Sequence, residues 1–235
     1  MLKAEWLGQI DYGDALAKQK ALVAARTEQP SLPDKLLLLE HPPTYTFGIR
    51  GDRSNLLLDE ATLQAQGFTL HQVRRGGDVT YHGPGQLVGY PICHLKRINE
   101  RLGRRRVDVH GFVRDIEEVI IQALADFGLV GQRFKGYTGV WVETHGELRK
   151  IAAIGIHVAG RERITSHGFA LNVMPDMSHF ANIVPCGITD YGVVSMAELL
   201  ERPLTTTDLL EPIIDAFGRV FKIDFQLEQR VQGTA

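Results

Sequence analysis

Only two cysteines, Cys93 and Cys186, occur in 235 residues. They allow at most one bridge, so a disulfide framework is excluded, and without an export signal both are expected as reduced thiols. No apolar run reaches the roughly 18 residues needed to span a bilayer. The opening stretch MLKAEWLGQIDYGD meets an acid within five positions and has no apolar h-region, so no secretory signal is read there. An excess of one charge is missing too: 26 Lys and Arg against 28 Asp and Glu leave −2, which speaks against a dedicated nucleic-acid binder. Nine histidines are scattered without an H-E-x-x-H or paired-cysteine motif, so no metal site is read. The expectation is a cytoplasmic protein that engages neither membrane nor nucleic acid.

What is present suffices for a sizeable core, with 44% hydrophobic residues. Residues 15–25 read as a short helix. KLLLLEH (35–41) and TYTFGIR (44–50) read as strands broken at Pro42-Pro43, neither of which donates to a ladder. A short helix over 59–66 and a strand over 68–75 follow, and LVGYPICHL reads as an apolar strand that makes Cys93 an inert core residue. Asp108 reads as the N-cap of the clearest helix. Its stripe is Val109, Phe112, Val113, Ile116, Val119, Ile120, Ala123, Leu124 and Phe127, and Gly128 stops it. TGVWVET, RKIAAIGIHVA and ITSHGFALNV then read as strands joined by turns around His145-Gly146 and Gly160-Arg161. Such a meander points to an antiparallel or mixed sheet. A last amphipathic helix carries Leu209, Leu210, Ile213, Ile214, Phe217, Val220 and Phe221, and KIDFQLEQR alternates like a strand. No linker divides the chain. One α+β domain is expected over 1–235, with room for a small C-terminal lobe over 195–235.

Four segments have a composition that is costly for structure alone. Arg75 to Gln86 holds four glycines and one proline in twelve residues, a backbone able to approach a ligand closely and aim its N–H groups. An ordinary Gly-rich hairpin loop is the competing reading, and no phosphate or dinucleotide fingerprint is present. Lys150 opens the run Ile151-Ala152-Ala153-Ile154-Gly155. At the end of a buried strand its ammonium would be desolvated and usable as a proton carrier, whereas the segment alone favours the competing reading, a solvated turn lysine beside Arg149. Gly168 and Ala170 leave little side chain over part of a strand, a space that either a neighbouring backbone or a ligand such as an acyl chain fills. Cys186, between Pro185 and Gly187, reads as a turn cysteine, either exposed and reactive or buried without a role.

Taken together the segments resemble the lipoyl/octanoyl transferase family: RGGDVTYHGPGQLVGYPI, then GVWV followed by KIAAIGIHV, then SHGFALNV, then NIVPCGI, in this order within 35–195. The resemblance implies a mixed α/β (α+β) fold with a largely antiparallel sheet flanked by helices, shared with lipoate and biotin protein ligases. It implies that Cys186 carries the acyl group and that Lys150 activates the thiol. Substrate contacts are implied at Arg75, Gly76, Gly77, Asp78, Val79, Thr80, Tyr81 and His82, at Ala153, Ile154 and Gly155, and at Gly168, Phe169 and Ala170. The implied donor is octanoyl-acyl carrier protein. The implied acceptors are the lipoyl domains of 2-oxoacid dehydrogenases and the glycine cleavage H protein.

Thioester-to-amide transfer needs an activated thiol, because a free one with pKa about 8.5 is only a few per cent ionised at pH 7. No metal, ATP or other cofactor is expected, since the incoming thioester is already activated. The competing functions are an ATP-dependent lipoate- or biotin-type ligase, which needs no cysteine, a cysteine–histidine hydrolase using His82 or His157, and a non-catalytic acyl-binding module. Residues 96–106 hold six basic residues and one acid. They read either as a solvated loop or as a basic patch that steers an acidic carrier protein.

Overall fold

Strand β2 (Asp34–Glu40) carries Leu36, Leu37, Leu38 and Leu39, all fully buried, and alternation sends Leu36 and Leu38 to one face and Leu37 and Leu39 to the other. A strand covered on both sides reads as a continuous apolar run. It lies in an eight-stranded sheet of the computed structural model, which describes residues 2–184 and 191–228, the side chains of 226–228 excepted. The strand order is β11 (Phe225–Glu228), β1 (Leu2–Gln9), β2, β6 (Gln86–Ile92), β10 (Ile164–Asn172), β9 (Glu147–Ala159), β8 (Tyr137–Thr144) and β7 (Gly131–Phe134). β1 runs parallel to β2 and β11, and every other neighbouring pair is antiparallel. The sheet is therefore mixed and largely antiparallel, as the meander predicts.

Helix α1 (Tyr12–Glu28) joins β1 to β2, and the Asp11 side chain caps it by accepting the Gly13 N–H at 2.7 Å. Ala15, Leu22 and Val23 cover one face of the sheet against Leu37, Leu39 and Val88. The opposite face packs against α4 (Val109–Ala125) and α6 (Leu210–Phe221), which bring Phe112, Ile116 and Phe217 onto Leu36, Leu38 and Phe169. Asp108 caps α4 by accepting the Gly111 N–H at 2.7 Å. The short helices are α2 (Glu60–Ala65), α3 (Leu95–Arg101) and α5 (Met196–Leu200). A second, three-stranded sheet places β3 (Thr44–Phe47) between β4 (Thr69–Gln72) and β5 (Val79–His82). Tyr45, Phe47, Phe68, Val79 and Tyr81 form its core.

Several elements differ from the sequence expectation. The strand read over 44–50 ends at Phe47, because Ile49 and Arg50 donate their N–H groups to the carbonyls of Arg75 and Gly77 instead of extending the ladder. The Gly-rich run is not loop throughout, since Val79 to His82 pair with β3. Residues 96–101 are helical, not a loop, because the His94 ring accepts the Arg97 N–H and Leu95 and Ile98 bury into the core. Strands β1 and β7 also form, where no sequence expectation places one. Among the described residues no helix is long and apolar enough to cross a membrane.

Candidate active site

β8 and β9 pair Val140 with Ala152 but Trp141 with Lys150, a one-residue bulge on β9. It allows Ile151 and Ala152, neighbours in sequence, both to bury in the core, while Lys150 and Ala153 line a cavity. The Lys150 ammonium stands 4.8 Å from the centroid of the Trp141 ring, which favours the cation. The Lys150 backbone donates to the Gly192 carbonyl at 2.9 Å and accepts from the Val194 N–H at 3.0 Å, so residues 192–194 run alongside it.

The Gly-rich run closes over β9 and β10. Gly76 N–H donates to the Ile156 carbonyl at 3.1 Å. A Cβ on Gly155 would stand 2.7 Å from the Gly76 carbonyl oxygen, and one on Gly168 would stand 1.9 Å from that of Gly89. Neighbouring backbone thus fills the space that these two glycines leave. Between the run and the strands lies a cavity of about 530 Å³, within the range of small-molecule sites. Arg75, Gly76, Gly77, Thr80 and His82 line it from the Gly-rich run. Lys150, Ala153, Ile154 and Gly155 line it from β9, and Gly168, Phe169 and Ala170 from β10.

The other expected contacts sit elsewhere. Val79 and Tyr81 are fully buried in the core of the small sheet, and the Tyr81 hydroxyl is 2.7 Å from His179 Nδ1. Asp78 accepts the Asn55 amide at 2.7 Å together with the backbone N–H groups of Asp52 and Val79. Cys186 lies outside the described residues, which resume at Tyr191. Cys93 is 1% exposed, and burial pushes its thiol pKa well up, so it stays a thiol.

Further groups complete the cavity: Tyr12, Tyr90 and His167 add polar rings, while Ile49, Val109 and Val113 add apolar wall. His167 holds a left-handed φ of 56° inside a strand, and its N–H donates to Gln19 Oε1 at 2.8 Å. Nothing in the pattern SHGFALNV shows that conformation, Tyr12 comes from an element remote in sequence, and Tyr90 sits within the apolar strand that follows the Gly-rich run. The Arg75 guanidinium donates to the Thr46 carbonyl at 2.6 Å and to its hydroxyl at 2.9 Å. Burial, and then the charge of Arg75, depress the pKa of His167 to about 4. Burial, and then His41 and Arg75, hold His82 well below the ordinary histidine value. Burial raises Tyr12 to about 12 and also holds Tyr90 well above the ordinary tyrosine value. These rings are neutral at pH 7, and Arg75 and Lys150 bring the positive charge. Apolar walls with neutral polar rings and a lysine on the wall suit an acyl chain with a reactive carbonyl. Among the described residues no group of three or more His, Cys, Asp or Glu could hold a metal ion.

Residues 11–218 match the lipoyl protein ligase A/B catalytic domain. An octanoyltransferase of Acidobacterium capsulatum is 48% identical over 219 residues, which cover 92% of this chain and 88% of that protein. An octanoyltransferase of Chloroflexus aurantiacus is 44% identical over 227 residues, 97% of each chain. Among solved structures, a bi-partite lipoate protein ligase from Thermoplasma acidophilum superposes with a TM-score of 0.74 over 99% of this chain and 88% of that one; at 15% identity this likeness speaks for the fold. The chain therefore belongs to the lipoyl protein ligase A/B catalytic domain family, among its octanoyltransferases, and is an acyltransferase.

Proposed function

We propose that this protein moves an octanoyl group, in the cytoplasm, from acyl carrier protein to a lysine of lipoyl domains through a thioester on Cys186. The acceptors are the lipoyl domains of 2-oxoacid dehydrogenases and the glycine cleavage H protein. The observation that carries the reading is the meeting of three remote segments, around residues 75–82, 150–155 and 168–170, at one acyl-sized cavity with Lys150 on its wall. Lys150, as a cation, favours the Cys186 thiolate. The thiolate attacks the thioester carbonyl, the carbon–sulfur bond to the carrier breaks, and the carrier thiolate leaves and takes up a proton. The acceptor lysine, as the free amine, then attacks the enzyme thioester, the carbon–sulfur bond to Cys186 breaks, the nitrogen gives up a proton to solvent as the amide forms, and the Cys186 thiolate is restored. The Gly76 N–H is committed to Ile156, so a donor to the developing oxyanion comes from another backbone group. Arg75, Gly77, Thr80 and His82, with Ala153, Ile154, Gly155, Gly168, Phe169 and Ala170, form the acyl-binding walls.

The test is intact mass spectrometry after incubation with octanoyl-carrier protein in the absence of ATP. The wild-type chain and Cys93→Ala should gain one octanoyl increment and release the carrier thiol, and Cys186→Ala should gain none. An increment retained in Cys186→Ala would sink the cysteine assignment. No increment on any form without ATP would favour a ligase.

A further inference from the structure

The segment 185–190 is flanked by chain ends that are both tied to the Gly-rich run. On the entry side, Val184 donates its N–H to the Asn55 carbonyl at 2.9 Å, and Leu57 donates to the Asn182 carbonyl at 2.9 Å. The Asn55 side-chain amide donates to Asp78 Oδ2 at 2.7 Å. On the exit side, the Val194 carbonyl accepts the Asn172 amide at 3.1 Å, and Asn172 Oδ1 accepts from Gln86 at 2.9 Å. Gln86 also donates to the Tyr81 carbonyl at 3.2 Å, and its Oε1 is 2.9 Å from His82 Nδ1.

The direction of the exit-side chain is forced. Backbone carbonyls only accept, so both amides must turn their NH₂ groups toward Val194 and Tyr81, and Gln86 Oε1 is left to accept the His82 Nδ1 proton. Gln86 is 2% exposed and Asn172 4%. In so dry a setting a fully paired network specifies one geometry and a broken one is costly. Neither Asn55 nor Asn172 lines the cavity. Both act on the chain that flanks Cys186, and Val194 also bonds the backbone of Lys150.

We propose that Asn55 and Asn172 are positioning residues: anchored on Asp78 and Gln86 of a single Gly-rich run, they fix both chain ends beside residues 185–190 relative to Lys150 and the cavity. The inference rests on Cys186 being the acyl carrier. A nucleophile displaced by about 1 Å loses roughly a hundredfold in rate, while cavity walls that stay in place keep substrate affinity.

The experiment compares full-length Asn55→Ala, Asn172→Ala and Cys186→Ala with wild type. A small octanoyl thioester gives kcat and KM, iodoacetamide alkylation gives the pH profile of the thiol, and Tm reports stability. Cys93 is buried, so alkylation reads Cys186. In both asparagine variants kcat should fall roughly 10- to 100-fold with KM nearly unchanged, and the alkylation profile should move. Should Asn172→Ala not fold, the half-buried Asn55→Ala carries the test alone. A lower Tm with wild-type kcat and alkylation profile would overturn the proposal and leave both residues structural. Activity retained in Cys186→Ala would instead remove the nucleophile on which the proposal stands.

Discussion

Lys150 is placed by backbone as much as by its side chain. The bulge on β9 turns it to the cavity wall, the segment 192–194 holds its main chain, and the Trp141 face holds its ammonium. If its charge supports the thiolate, Lys150→Ala should slow Cys186 alkylation at pH 7 by roughly tenfold, the equivalent of one pKa unit, and alkaline buffer should restore part of the rate. His82 is the competing base. It is neutral, burial holds its pKa well below the ordinary histidine value, and its Nε2 faces the Thr46 hydroxyl at 3.4 Å, so it is a weak base and His82→Ala should matter less; a far larger loss there would hand the role to histidine. The buried histidines also set a pH dependence of stability. Burial lowers His41 to about 4, its Nδ1 2.8 Å from the Ile10 carbonyl and its Nε2 2.8 Å from the Tyr90 hydroxyl. An unfolded histidine titrates near 6.5. Between these values the unfolded chain holds a proton that the folded chain refuses, so stability is full above about pH 6.5 and is lost as pH falls toward 4. His41 alone accounts for about 3 kcal/mol across that window. The denaturation midpoint should drop between pH 7 and 4.5, and His41→Asn should flatten the fall.

At the scale of elements, what the sequence predicts well is whatever periodicity encodes. The four leucines of β2, the stripe of α4 from Phe112 to Leu124 and the meander β8–β9–β10 all stand where pattern puts them, while Val109 and Val113 turn to the cavity instead of the core. The turn at His145-Gly146 takes positive φ at both residues, the hairpin geometry that pair suggests. What pattern cannot encode is the remote partner. β1 finds β2 through Leu2 facing Asp34, across the whole of α1. The site divides in the same way: composition marks the Gly-rich run, Lys150 and the Gly168 strand, whereas Tyr12, Tyr90 and His167 reach the cavity only through tertiary packing. Glu117 is the sharpest case. Within IEEVI it reads as a solvent-facing acid, yet it is fully buried on α4 and accepts from Arg114 at 2.6 Å, Arg133 at 3.1 Å and the Gly139 N–H at 3.1 Å. It therefore ties α4 to the strand whose start, Tyr137 and Thr138, lines the cavity. Glu117→Ala should cost about 2–3 kcal/mol in chemical denaturation, less than a fully enclosed pair because Arg114 and Arg133 reach solvent. A loss under about 0.5 kcal/mol, the size of a surface change, would mean that the acid is not a tie.

Across the whole molecule a net charge of −2 hides an uneven distribution, with residues 96–106 strongly basic. The fold spends part of that charge internally. Arg97 donates to Asp34 at 2.9 Å, and Arg104 grips both oxygens of Asp115 at 2.6 and 2.7 Å. Arg101, at the end of α3, and Arg105 and Arg106 remain exposed ahead of α4, whose first residues Val109 and His110 line the cavity, as do Ile49 and Arg50. Ile49 is 71% exposed, so the rim pairs an apolar lip with basic flanks. An acidic carrier delivering its acyl arm into the cavity would approach over this face, and opposite charge would raise its association rate at low salt. Reversing Arg101, Arg105 and Arg106 to Glu tests this while sparing Arg104, whose loss would unpair Asp115 and disturb the fold. With octanoyl-carrier protein, kcat/KM should fall roughly tenfold at low ionic strength and lose most of its salt dependence, because screening can no longer remove an attraction that is absent. With a small octanoyl thioester the rate should hold, since the cavity and the thiol are untouched. Equal losses with both donors would mean that the arginines support the site and not the docking of a partner.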